Sequence, residues 1–150
     1  MSQHLEEILE LSRKLHELGY RRQWKVGDEI CFDRKLYPTR YRVQHLIKSS
    51  PYSVIPQFLL IRRRAKFLRV GVEDERLIHI PQAEDVVVWF RKQPWIDFHV
   101  LRRGQDANWE FTFYYHKKST FKNFHQNDAR LVSLQAMVAA HELIASIIAE

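Results

Sequence analysis

Two alternating stretches, 95–102 and 109–116, joined by Arg103-Gly-Gln-Asp-Ala-Asn108, constrain the fold of this chain more than any other feature. Alternation of apolar and polar residues at period two is strand geometry, and a short polar loop containing a glycine returns the chain antiparallel. With Arg102 set opposite Trp109, residues Ile96, Phe98 and Val100 lie across from Tyr115, Phe113 and Phe111. That register makes one face wholly apolar. Because a slip of one residue exchanges the faces, the pattern favours this pairing over its neighbours.

The opposite face of the same hairpin gathers side chains able to move protons. Asp97 falls opposite Tyr114, His99 opposite Thr112, and Trp95 opposite His116. A carboxylate, two imidazoles and a phenol in reach of one another support general acid–base chemistry near neutral pH. The competing reading is the polar, solvent-facing side of a half-buried hairpin, with no catalytic role for Asp97, His99, Tyr114 or His116.

Around the hairpin the period changes. Leu5, Ile8, Leu9, Leu15 and Leu18 recur at helical spacing, predicting a helix over 3–19 that Gly19 ends. From Trp24 to Asp33 the period is two, with Trp24, Val26, Ile30 and Phe32 on one side and Lys25, Glu29, Cys31 and Asp33 on the other, as in a half-buried strand. A short strand is expected at Leu77 to Ile80, then a helix opened by Pro81, with Glu84 and Asp85 near its positive end and Pro94 beyond its close. Asn127 or Asp128 can cap a last helix to about Ala149, apolar around most of its circumference, with Gln135, Glu142 and Ser146 as its polar stripe.

Between these elements, Pro38, Pro51 and Pro56 interrupt the chain and no period dominates. For 57–70 a helix is favoured, carrying Phe58, Ile61, Ala65 and Leu68 on one stripe; a hairpin of two short strands is the alternative. The element order predicts a single α+β domain over 1–150, an antiparallel sheet with helices packed on one face and a long apolar C-terminal helix.

Charge is distributed unevenly. The net charge is +6, yet Arg34, Lys35, Arg40, Arg42, Lys48, Arg62, Arg63, Arg64, Lys66 and Arg69 supply ten positive charges within 34–72, where there is no acidic residue. The remainder of the chain holds 14 basic and 18 acidic residues, so it is mildly acidic. Tyr37, Tyr41, Tyr52, Phe58 and Phe67 are interspersed with the cations. Cations for phosphates beside rings for bases suit a nucleic-acid surface, although no helix-turn-helix, zinc-finger or RNA-recognition consensus is present. A solvated charged rim is the competing reading.

Other chemistries have little footing. Cys31 is the only cysteine, so an intrachain disulfide is excluded and a reducing compartment is expected. Cys31 reads as a small packing residue on the more polar strand face, not an activated thiolate. The eight histidines form no H-x-x-x-H, H-x-H or H-E-x-x-H pair, so no metal site is expected, a pairing of His116 with His125 being the remaining option. Glycines 19, 27, 71 and 104 are too scattered for a P-loop or dinucleotide fingerprint, and no nucleotide cofactor is expected. No G-x-S-x-G occurs. The N-terminus does not resemble a signal peptide and no stretch is long and apolar enough for a membrane span, so a soluble, cytoplasmic protein is expected.

The leading functional expectation is a non-enzymatic domain that binds nucleic acid or another polyanion through segment 34–72. The alternative is an assembly module that forms a homodimer, or docks on a protein partner, through the apolar helix 128–149.

Overall fold

The helical spacing at the N-terminus forms α1, Ser2–Glu17, in a computed structural model that describes residues 2–21, 25, 27–32, 40–50, 53–60, 67–69 and 77–148. Ile8, Leu9, Ser12 and Leu15 of α1 are buried, the i, i+1, i+4, i+7 ridge of an amphipathic helix. Gly19 follows at φ 98°, a left-handed conformation that lets the chain leave the helix without a Cβ clash.

The remaining elements are β1 (Glu29–Phe32), β2 (Arg40–Ser50), β3 (Ser53–Leu60), β4 (Phe67–Arg69), β5 (Leu77–Ile80), α2 (Ala83–Arg91), β6 (Ile96–Arg103), β7 (Trp109–Tyr115), β8 (Thr120–Gln126) and α3 (Ala129–Ile148). They form two compact units, Met1–Leu18 with Pro81–Glu150, and Gly19–Ile80. The fold is α+β, and among the described residues every strand pairing is antiparallel.

The unit Gly19–Ile80 is built on a five-stranded sheet in the order β4-β3-β2-β1-β5. The expected strand from Trp24 is shorter than its alternation implies. A turn precedes β1, in which Gly27 has φ 95° and the Lys25 N–H donates to Asp28 Oδ2 at 2.8 Å. Trp24, Val26 and Asp33 lie outside the described residues. The half-buried expectation also fails, since Glu29, Ile30 and Cys31 are all buried. β1 lies between β2 and β5, inside the sheet rather than at its edge, and Cys31 is buried on the face expected to be polar.

The described parts of 57–70, residues 57–60 and 67–69, are strands, as in the alternative of two short strands and unlike the favoured helix, and 61–66 and 70 lie outside the described residues. β3 pairs with β2 on one side, and its residues Gln57, Phe58 and Leu59 pair with Arg69, Leu68 and Phe67 of β4 on the other. Cross-strand hydrogen bonding overrides a helical spacing that is only a weak local preference. Pro56 pairs with Leu46 but falls beyond the stretch joined to β4, where β3 has one neighbour and a missing N–H is tolerated.

The other unit packs helices on one face of a three-stranded sheet, order β6-β7-β8. α2 begins at N-cap Gln82, one residue after Pro81, and the Gln82 N–H donates to Asp85 Oδ2 at 2.8 Å in a capping box. Phe90 of α2 meets Phe111 and Phe113 of β7 at ring-centroid distances of 4.8 and 5.2 Å, the centre of an aromatic core. Asp128 is the residue that caps α3, its Oδ1 accepting from the Leu131 N–H at 2.8 Å. Leu131, Val132, Leu134, Ala136, Met137, Val138 and Ala140 are buried, and α3 packs on α1, α2, β7 and β8. Lys14 of α1 and Glu142 of α3 form an exposed ion pair at 3.0 Å.

The hairpin register differs from expectation by one residue. Arg103, not Arg102, lies opposite Trp109, and the offset persists through Phe98 opposite Tyr114. Ile96 still pairs with Tyr115, so Asp97 is an extra residue, a β-bulge. Asp97 and Phe98 are consequently both exposed in succession, while Ile96 before them is buried.

Candidate functional site

Segment 34–72 supplies β2, β3 and β4, three neighbouring strands at one side of the five-stranded sheet. Arg40 and Arg42 stand in β2 opposite Cys31 and Glu29 of β1, Lys48 stands opposite Val54 of β3, and Arg69 of β4 stands opposite Gln57. The other six cations, Arg34, Lys35, Arg62, Arg63, Arg64 and Lys66, lie outside the described residues.

Of the four polar hairpin residues, two come together. Asp97 Oδ1 lies 3.0 Å from His116 Nδ1, in an exposed carboxylate–imidazole pair. Beside it, the Lys117 ammonium sits 4.1 Å from the centroid of the Trp95 ring. His99 does not join them. The bulge turns it to the core side, where its ring stacks on Phe90 at 5.7 Å, and burial together with the Arg91 charge holds its pKa below the ordinary value. The expected pairing of His99 with Thr112 is replaced by His99 opposite Phe113. His125 is opposite Glu110 in the β7–β8 ladder, whereas His116 is engaged with Asp97.

Phe98 was expected in the apolar face and instead points away from the helices. It is 49% exposed, and Phe121 of β8 is 60% exposed. Phe98 pairs with Tyr114, and Tyr114 with Phe121, so three rings form one row across the sheet. Residues directly opposite share a face, and the next rows on that face are Val100–Thr112–Asn123 and Arg102–Glu110–His125. Glu110 accepts from Asn123 Nδ2 at 2.6 Å and Arg102 Nε at 3.0 Å, and these two bonds hold its carboxyl below the usual range. Phe121 and Asn123 escape a reading of the sequence because β8 shows no clean alternation. Its two phenylalanines, 121 and 124, are three apart and fall on opposite faces.

The fold and these surfaces define an α+β protein with two antiparallel sheets, one built largely from an acid-free segment and one presenting an aromatic row. No protein-family profile, no curated protein and no solved structure matches the chain. Among the described residues, no helix is long and apolar enough to cross a membrane.

Proposed function

We propose that the protein binds a polyanion, nucleic acid foremost, through segment 34–72. The observation that carries this reading is the separation of charge: ten cations and no carboxylate in 39 consecutive residues of an otherwise mildly acidic chain. β2, β3 and β4, the described strands of the segment, are neighbours in one sheet, so Arg40, Arg42, Lys48 and Arg69 stand on adjoining strands. Such a surface neutralises phosphates and releases condensed counterions, without sequence specificity.

The test is binding of heterologous single- and double-stranded oligonucleotides over a salt series. Affinity is expected to fall linearly on a log–log scale, and Arg62→Glu, Arg63→Glu and Arg64→Glu combined should flatten the slope by about 3. No binding at the lowest salt would end this reading. Self-association through 128–149 has less to draw on, because Leu131, Leu134 and Met137 are already covered within the chain.

A further inference from the structure

The row Phe98–Tyr114–Phe121 is the largest exposed aromatic feature among the described residues, and the core does not use it. We propose that the outer face of β6, β7 and β8 is a base-stacking site for single-stranded nucleic acid. This deepens the polyanion reading, and rests on it for the class of ligand, but uses none of the residues in 34–72.

Three features of the face fit that ligand. Neighbouring strands lie about 4.8 Å apart, so the row presents three rings on which unpaired bases can lie, whereas a duplex keeps its base faces buried in its own stack. Beside the rings, Asn123 stands in the adjacent row, and with one amide N–H held by Glu110 it keeps a second N–H and its carbonyl oxygen for base edges. The carboxylates beside the rings are also held within the sheet. Glu110 is engaged by Asn123 and Arg102, and Asp97 by His116. Lys117, beside Trp95 at one end of the hairpin, is exposed and has no acidic partner among the described residues, whereas Arg103 pairs opposite Trp109 and so falls on the other face.

Stacking is sequence-tolerant because every base has a π-face, so the site should accept any flexible single strand and favour easily unstacked pyrimidine runs. Phe98 and Phe121 are exposed enough that truncating them removes ligand contact with little loss of core packing.

The experiment uses the full chain with three probes at low salt: an oligo(dT) of about 12 nucleotides, an abasic strand of equal length, and heparin. Phe98→Ala and Phe121→Ala should each weaken oligo(dT) binding by about 5- to 100-fold while changing the abasic strand and heparin by less than about twofold. Phe121→Tyr should retain oligo(dT) binding. Unchanged oligo(dT) affinity in both alanine variants overturns the inference, as does an equal loss for the abasic strand. Sedimentation showing that Phe121→Ala dissociates a dimer, with oligo(dT) affinity intact, also overturns it and gives the face to a second copy of the chain. Failure of the polyanion reading is separate: it is seen when wild-type protein binds neither heparin nor the abasic strand.

Discussion

Nδ1 of His116 lies 3.0 Å from Oδ1 of Asp97, the residue by which β6 exceeds β7 between the Ile96–Tyr115 and Phe98–Tyr114 pairs. The pair therefore clasps a bulge. The bulge sets which side of the sheet each later residue of β6 occupies: His99 and Leu101 pair opposite Phe113 and Phe111, and Phe98 is exposed. Three variants separate the clasp from the register. Asp97→Ala should cost less than about 1 kcal/mol, as expected for an exposed ion pair. Deleting Asp97 should leave a folded sheet, because Ile96 inward, Phe98 outward and His99 inward is then plain alternation. Deleting Thr112 from β7 instead enlarges the mismatch and should cost more than about 3 kcal/mol, because it throws one half of β7 out of phase with both β6 and β8. Urea melts in which the two deletions behave alike would show that the bulge assignment is wrong.

His141 of α3 stacks on Trp89 of α2 with ring centroids 4.5 Å apart, and burial lowers its pKa from 6.5 to about 4. Between those values the unfolded chain takes up a proton that the folded chain refuses. The contribution is thus complete above pH 6.5 and is lost as the pH falls toward 4. The loss should reach about 2 kcal/mol, less than the full shift implies because part of the ring still meets solvent. His99, lowered by burial and by Arg91, acts in the same direction. His141→Leu should make stability flatter between pH 7 and pH 4.5. An unaltered pH dependence of the urea midpoint in this variant would remove His141 from the account.

Tyr115 is fully buried, its hydroxyl has no hydrogen-bond partner among the described residues, and burial pushes its pKa up. A buried unpaired hydroxyl carries a desolvation cost of about 1–3 kcal/mol that a methine does not. Tyr115→Phe should therefore be neutral or stabilising, whereas Tyr115→Ala, which empties the ring site, should cost about 3–5 kcal/mol. A melt in which Tyr115→Phe lowers stability by more than about 1 kcal/mol would refute the unpaired hydroxyl.

Local signals were the legible ones. The leucine and isoleucine spacing marks α1, Leu77–Ile80 is found with the expected bounds, and Asp128 caps α3 from within three residues of the N–H it accepts. The candidate surfaces were half legible. Charge segregation is a property of composition and needs no coordinates. Asp97 and His116 meet because both flank the Ile96–Tyr115 pair, the end of the expected pairing that is kept, where the His116 N–H donates to the Trp95 carbonyl at 3.1 Å. His99 and Phe98 were assigned to the wrong faces for one reason, the single extra residue at Asp97.

By itself, the sequence determined the α+β class, the helices whose apolar stripes and caps lie within a turn or two of each other, and the placement of all net positive charge in 34–72. Only the tertiary structure decided that 53–60 and 67–69 are strands, that 120–126 completes a second sheet, and that the outer face carries Phe98, Tyr114 and Phe121. The physical reason is range. A helix closes its hydrogen bonds four residues away, so its stripe is written locally, whereas a strand's partner, register and bulges are fixed by side chains far along the chain, and one residue of slip exchanges core for surface.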